Sequence, residues 1–264
     1  MNIQSPIGVM DSGIGGLSVA MAIRDTLPQE NILYFGDTAN CPYGNKTREE
    51  LLALSTRNVA FLQSRGAKCI ALACNTTSSL ADELRTRFSV PIITVAECAA
   101  DAIAASGAQQ VGLIATVFTV QSGIYEKRIH ALAPELRVVS APSRNLARLI
   151  ESQADDAELD DEIRQSMAPI LAEPSVRDVI LGCTHYPLVL ARFRAVCPGL
   201  RFLDPAPYQA QAVAAFLAEN GLQNREDTPQ FTVCTTGDPA AFREICKTSG
   251  ISEHYRTEFI HIDF

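Results

Sequence analysis

The chain has 264 residues, 47% of them hydrophobic and 20% charged, which suits a large core divided over one big domain or two small ones and excludes a disordered chain. Its formal net charge of −8 supplies no basic footprint for nucleic acid, yet leaves room for a small anionic substrate, because the field inside a cleft can oppose the net charge. The N-terminal MNIQSPIGVMDSG lacks the basic stretch of a signal peptide, and no apolar run approaches the roughly 18 residues of a membrane span, so a cytoplasmic, non-membrane protein is expected.

Short β-type runs alternate with helical spacing along the whole chain. The first strand is expected at 7–10 and runs into Asp11-Ser12-Gly13-Ile14-Gly15-Gly16. Those glycines allow close backbone approach to a ligand and tight entry into a helix. Asp11 reads equally as a helix-capping aspartate, and the segment lacks the G-x-G-x-x-G spacing of a dinucleotide loop. A second strand at 32–35 leads into Asp37-Thr38-Ala39-Asn40-Cys41-Pro42-Tyr43-Gly44, a turn-rich loop that is either a substrate clamp or a plain connection. Cys41 has no activating neighbour there and is not counted among the candidate thiols. Thr47 and Glu50 form a capping box that opens a helix toward Arg65.

Further strands are expected at 69–73, 92–95, 111–115, 137–140, 179–181, 201–203, 231–235 and 258–262. The acidic stretch 153–161 leads into a helix, and another helix is expected from about Tyr208. This alternation specifies an α/β fold with mainly parallel sheets, whose strands are apolar because both faces are covered. A weak internal echo runs through it. Ile7-Gly8-Val9-Met10-Asp11-Ser12 resembles Val111-Gly112-Leu113-Ile114-Ala115-Thr116, and Ala73-Cys74-Asn75-Thr76 corresponds to Gly182-Cys183-Thr184-His185. The echo is either a duplicated unit or the common strand–small–polar turn of any α/β half. A duplication would place both cysteines at strand carboxyl ends, where open α/β sheets bind ligands.

There are eight cysteines, none in a C-x-x-C pair, so a structural zinc site is not expected and most are buried thiols. Cys74 ends an apolar strand before Asn75, Thr76, Thr77 and Ser78, which are good helix-start residues. At that position the helix N–H groups would stabilise a thiolate. Cys183 repeats the setting before Thr184, His185, Tyr186 and Pro187. Either cysteine alone reads more readily as packing; two in equivalent settings read as a functional pair. Racemisation removes a proton from one face of a carbon and returns one to the other, so it needs an acid/base group on each side. A thiol, with an ordinary pKa of about 8.5, serves in both roles near neutral pH. His185, two residues from Cys183, is a candidate proton partner.

Together IGVMDSGIGGLSV (7–19), YFGDTANCPYG (34–44), ALACNTTS (71–78), LGCTHYPL (181–188) and FTVCTTGD (231–238) resemble glutamate racemase, of the pyridoxal-independent aspartate/glutamate racemase superfamily. The resemblance implies two similar α/β domains related by a pseudo-twofold axis, here 1–95 with 208–264 and 96–207, with the site between them. It implies that Cys74 takes the α-proton of D-glutamate and Cys183 that of L-glutamate, supported by Asp11 and His185 respectively. Ser12, Pro42, Tyr43, Gly44, Asn75, Thr76 and Thr184 would hold the substrate, with Thr116 and Thr119 kept from the family pattern and Asp37 and Glu151 close by. No cofactor and no metal are implied. A homodimer and a role in supplying D-glutamate for peptidoglycan are. With only six residues before the first expected strand, the N-terminal extension of wall-precursor-regulated relatives is expected to be lacking. Departures stand at Glu97-Cys98, Ala115, 141–145 and Pro205; they spare the thiols and bear on the substrate pocket. Arg144 is read as a surface arginine rather than a carboxylate anchor. Rival readings are action on aspartate, a hydantoin or another α-acidic compound, a pyridoxal enzyme for which only Lys46 is placed to form a Schiff base, and a non-catalytic amino-acid-binding relative.

Overall fold

The computed structural model describes residues 2–225, 228–248 and 256–264; the Cys246 side chain lies outside the described residues. All ten expected strands form, with ends shifted by a residue or a few. They are β1 (Ile7–Asp11), β2 (Ile32–Gly36), β3 (Cys69–Leu72), β4 (Ile92–Thr94), β5 (Gln110–Thr116), β6 (Arg137–Ser143), β7 (Asp178–Gly182), β8 (Arg201–Leu203), β9 (Gln230–Thr235) and β10 (Arg256–His261). They make two separate sheets, one of six strands in the order β10-β9-β2-β1-β3-β4 and one of four in the order β6-β5-β7-β8. Every pairing is parallel. Helices connect the strands and cover both faces, as parallel pairing requires.

The order β2-β1-β3-β4 within the larger sheet repeats as β6-β5-β7-β8 in the smaller. Register repeats too. Gly8 pairs with Ile70, four residues before Cys74, and Gly112 pairs with Val179, four residues before Cys183. The sequence echo therefore corresponds to two units of one topology with the thiols at matching positions. In each unit the chain leaves the central strand to one side and then crosses to the other. The carboxyl ends of β1 with β3, and of β5 with β7, are thus switch points where a crevice opens.

Side-chain alternation along the buried strands fixes which way each thiol points. Cys69, Ala71 and Ala73 enter the core on one face of the larger sheet, while Ile70, Leu72 and Cys74 enter the core on the other. Val179, Leu181 and Cys183 likewise share one core of the smaller sheet, opposite Ile180. The helix Ala206–Glu219 starts two residues before the expected Tyr208 and returns the chain to the larger sheet, burying Ala206, Ala210, Val213 and Leu217 in its core. The helix Asp156–Leu171 begins inside the acidic 153–161 stretch, capped by Asp155. The Thr47–Glu50 capping box forms as expected. Among the described residues no helix is long and apolar enough to cross a membrane.

Candidate active site

Cys74 and Cys183 line one cavity from opposite sheets. The larger sheet supplies Ser12 after β1, Pro42, Tyr43 and Gly44 from the loop after β2, and Cys74, Asn75 and Thr76 after β3. The smaller supplies Thr116 at the end of β5 and Cys183, Thr184 and His185 after β7, with Ala147 from the helix Leu146–Glu151. Water-sized space within it is only about 10 Å³, roughly the room of one water. The walls meet closely because two glycines allow it. A Cβ on Gly15 would stand 2.7 Å from the Thr184 carbonyl carbon, and one on Gly44 2.7 Å from Thr116 Cβ.

The thiols have different surroundings. Cys74 is the N-cap of the single-turn helix Asn75–Ser78, and its Sγ lies 3.8 Å from Ser12 Oγ. Stabilisation of its thiolate by the helix end is not what results. Burial, reinforced by the Asp11 charge, pushes the Cys74 thiol up to about 12, and the Thr77 backbone N–H only partly offsets it. A single turn exposes few N–H groups, and desolvation of a charge outweighs them. Cys183 Sγ lies 3.8 Å from His185 Nδ1, while His185 Nε2 is hydrogen-bonded to Glu151. Burial works against charge on His185, yet bonds to Cys183, Cys41 and Glu151 outweigh it and raise the imidazole well above its ordinary value.

Asp11 is fully buried and is not itself among the residues facing the cavity. Its Oδ2 accepts the N–H groups of Gly13 and Gly16 at 3.1 Å, and its Oδ1 accepts the Thr184 hydroxyl at 3.2 Å. Burial raises its pKa despite those bonds and the His185 charge. Asp11 thus joins the two sheets behind the cavity. A second link is the hydroxyl cluster of Thr76, Thr116 and Thr119, with oxygens 2.9 to 3.4 Å apart; Thr119 stands behind Thr116 rather than at the cavity wall. Asp37 is buried beneath the Pro42–Gly44 wall. It accepts the Tyr43 hydroxyl, Asn40 Nδ2 at 2.9 Å, Thr236 Oγ1 at 2.7 Å and Arg57 Nη2 at 2.9 Å. Burial alone would raise the Asp37 carboxyl, but these bonds and the Arg57 charge hold it below its ordinary value.

Several participants carried no sequence signal. Ala147 is an ordinary apolar helix position, and Tyr125, whose hydroxyl donates to Asn75 Oδ1 at 2.7 Å, sits fifty residues away in the chain. Asn58, which donates to the Tyr43 hydroxyl at 3.0 Å, reads as a surface polar residue until the helix Arg48–Ser64 is docked. Cys41, set aside on sequence grounds, places its Sγ within 4.8 Å of the ligand atoms of Glu151 and His185. The departures from the family pattern mostly fall elsewhere. Glu97 pairs with Arg85 at 2.6 Å, Arg144 is exposed, and Pro205 lines a separate small cavity behind Cys183. Lys46 is not among the cavity residues.

The profile of the Asp/Glu/Hydantoin racemase family matches residues 7–213. A glutamate racemase of Thermus thermophilus is 39% identical over 251 residues, covering 94% of this chain and 93% of its own. One from Desulforudis audaxviator is 38% identical over 250 residues, covering 90% and 91%. Among solved structures, a glutamate racemase isoform of Bacillus anthracis superposes with a TM-score of 0.90 at 32% identity, covering 100% of this chain and 99% of its own. The Francisella tularensis glutamate racemase in complex with D-glutamate gives 0.88 at 28% identity, covering 99% and 98%. With two thiols set at equivalent strand ends around one cavity and a match that spans most of its length, the chain belongs to the Asp/Glu/hydantoin racemase family.

Proposed function

We propose that the protein interconverts L- and D-glutamate without a cofactor, by proton transfer between two thiols, and so supplies D-glutamate for peptidoglycan in the cytoplasm. The observation that carries this reading is the convergence of Cys74 and Cys183 on one cavity from two sheets of matching topology. In this reading the substrate's α-carbon lies between the sulfurs. Cys74 removes the α-proton of the D-enantiomer while Cys183 delivers one to the opposite face, and the roles reverse for the L-enantiomer. His185 exchanges a proton with Cys183 through Nδ1, and Glu151 steadies its other nitrogen. Asp11 serves Cys74. Ser12, Asn75, Thr76, Thr116 and Thr184, with the Pro42–Gly44 wall, hold the amino and carboxylate groups. Glutamate is favoured over aspartate and hydantoins because the named relatives at 38–39% identity are glutamate racemases.

A cavity of about 10 Å³ is too small for an amino acid. The two lobes, 1–95 with 208–264 and 96–207, are proposed to part for entry and close over the substrate, excluding water from the carbanionic transition state. The test is circular dichroism on separate L- and D-glutamate and aspartate samples with purified protein and no added cofactor. Both glutamate enantiomers should decay to zero ellipticity, with α-hydrogen exchange in heavy water. Cys74→Ser and Cys183→Ser should each abolish racemisation. Parental activity in both variants would overturn the two-thiol reading, and turnover of aspartate alone would overturn the substrate.

A further inference from the structure

Beyond the opposed thiols, one group of metal-ligating side chains converges among the described residues: Cys41, Glu151 and His185, whose ligand atoms all lie within 4.8 Å of one another. Cys41 comes from the loop after β2, Glu151 from the end of the helix Leu146–Glu151, and His185 from the turn after β7. The first belongs to the larger sheet's lobe, the other two to the smaller's. Gly13 lets them meet: a Cβ there would stand 3.0 Å from Cys41 Sγ and 3.3 Å from Glu151 Oε1. A thiolate, an imidazole and a carboxylate are the donors of a borderline-soft divalent ion. Hard Mg²⁺ or Ca²⁺ would want more oxygens. Bonds of about 2.0 to 2.3 Å at tetrahedral angles set donor atoms roughly 3.3–3.7 Å apart, so the hydrogen-bonded His185 Nε2 and Glu151 oxygen have to part by about an ångström to admit the ion, with Cys41 Sγ within 4.8 Å of the ligand atoms of both residues.

We propose that Cys41, Glu151 and His185 form an inhibitory Zn²⁺ site that spans the two lobes. The ion takes Cys41 Sγ, a Glu151 oxygen and His185 Nε2, leaving a fourth position for water. Cys41 binds as thiolate and His185 as neutral imidazole, and the displaced protons pass to solvent. His185 Nε2 is the nitrogen now bonded to Glu151, and Nδ1 faces Cys183. Metal on Nε2 therefore removes the second proton the imidazole would hold beside Cys183. The same ion ties the loop after β2 to the turn after β7 and so resists the parting that admits substrate. The inhibition rests on the function proposed above; the binding does not.

The experiment uses Co²⁺ as an optical probe on metal-free protein, followed by Zn²⁺ competition. A thiolate-to-cobalt charge-transfer band should appear in the parent and in the Cys74→Ser/Cys183→Ser double variant. It should vanish in Cys41→Ala. Zn²⁺ affinity in Cys41→Ala should fall by more than about 100-fold, since loss of even an outer-shell partner commonly costs about 10–100-fold. Glu151→Gln, which keeps the side-chain shape, should weaken Co²⁺ as a second check on the cluster. In the racemisation assay Zn²⁺ should inhibit the parent, a chelator should reverse it, and Cys41→Ala, measured against its own metal-free rate, should resist Zn²⁺. A band that persists in Cys41→Ala, one lost from the double serine variant, or no band at all would overturn the site. Each of these is read whether or not the protein racemises glutamate.

Discussion

Cys74, the proposed base for D-glutamate, also bears a cost of burial. Its thiol is pushed from an ordinary value of 9.0 up to about 12, first by burial and then by Asp11. The folded protein therefore holds this proton more tightly than the unfolded chain does. Stability from this group is full below about pH 9 and is lost as pH rises toward about 12, where the unfolded thiol has already ionised. Urea unfolding of the parent against Cys74→Ala should show the difference shrinking by on the order of 1 kcal/mol per pH unit above about pH 9. An unchanged difference across that range would mean the thiol is not buried in the closed state. Asp37 has the opposite sign. Held below its ordinary range, it adds stability at neutral pH that is lost in acid, as its carboxylate protonates and releases Tyr43 and Arg57.

Pairs of elements meet at the site through backbone contacts that admit no side chain. The turn after β1 touches the turn after β7 where Gly15 faces Thr184, and the loop after β2 touches the end of β5 where Gly44 faces Thr116. A Cβ at position 15 would meet backbone, the Thr184 carbonyl carbon at 2.7 Å and the His185 nitrogen at 2.9 Å, so the clash could not be relieved by a rotamer. Gly15→Ala should hold the lobes apart and displace Thr184 and His185. A shift approaching 1 Å in a catalytic constellation costs up to about 100-fold in rate. We therefore expect kcat/KM to fall by about 10- to 100-fold, with a much smaller change in unfolding midpoint, since each lobe keeps its own core. A variant with parental kinetics would show that the lobes do not close on this contact. Elsewhere a buried ion pair sets element docking. Lys68 at the start of β3 pairs with Glu30 and donates to the Ile3 and Leu222 carbonyls, tying the N-terminus and the segment after Ala206–Glu219 to the larger sheet. Breaking such a pair from one side leaves an uncompensated buried charge.

At the scale of the whole molecule, the proposed function has two lobes close over a small cavity. Ligand bound across both lobes and absent from the unfolded chain must stabilise the fold by mass action. At about 100 times its dissociation constant, glutamate should contribute roughly 2.7 kcal/mol and raise Tm by about 5–10 °C for a chain of this size. Aspartate at the same concentration should do less. Differential scanning fluorimetry reads both. An equal rise with both amino acids would remove the preference for glutamate, and no rise with either would mean the closed cavity does not take an amino acid.

The amino-acid sequence by itself determined the strand and helix inventory and the pairing of Cys74 with Cys183. Those features are written in local patterns: apolar runs for buried parallel strands, polar helix-start residues after each cysteine, and a repeated strand motif. Only the tertiary structure decided that Cys41 stands beside His185, that Tyr125 holds Asn75, that Arg57 supports Tyr43 through Asp37 while Asn58 bonds it directly, and that burial pushes the Cys74 thiol up where a helix end alone would bring it down. These depend on distances between segments far apart in the chain and on how completely water is excluded from them. A local pattern records which way a strand side chain points; it does not record which neighbour it meets or how dry that meeting is.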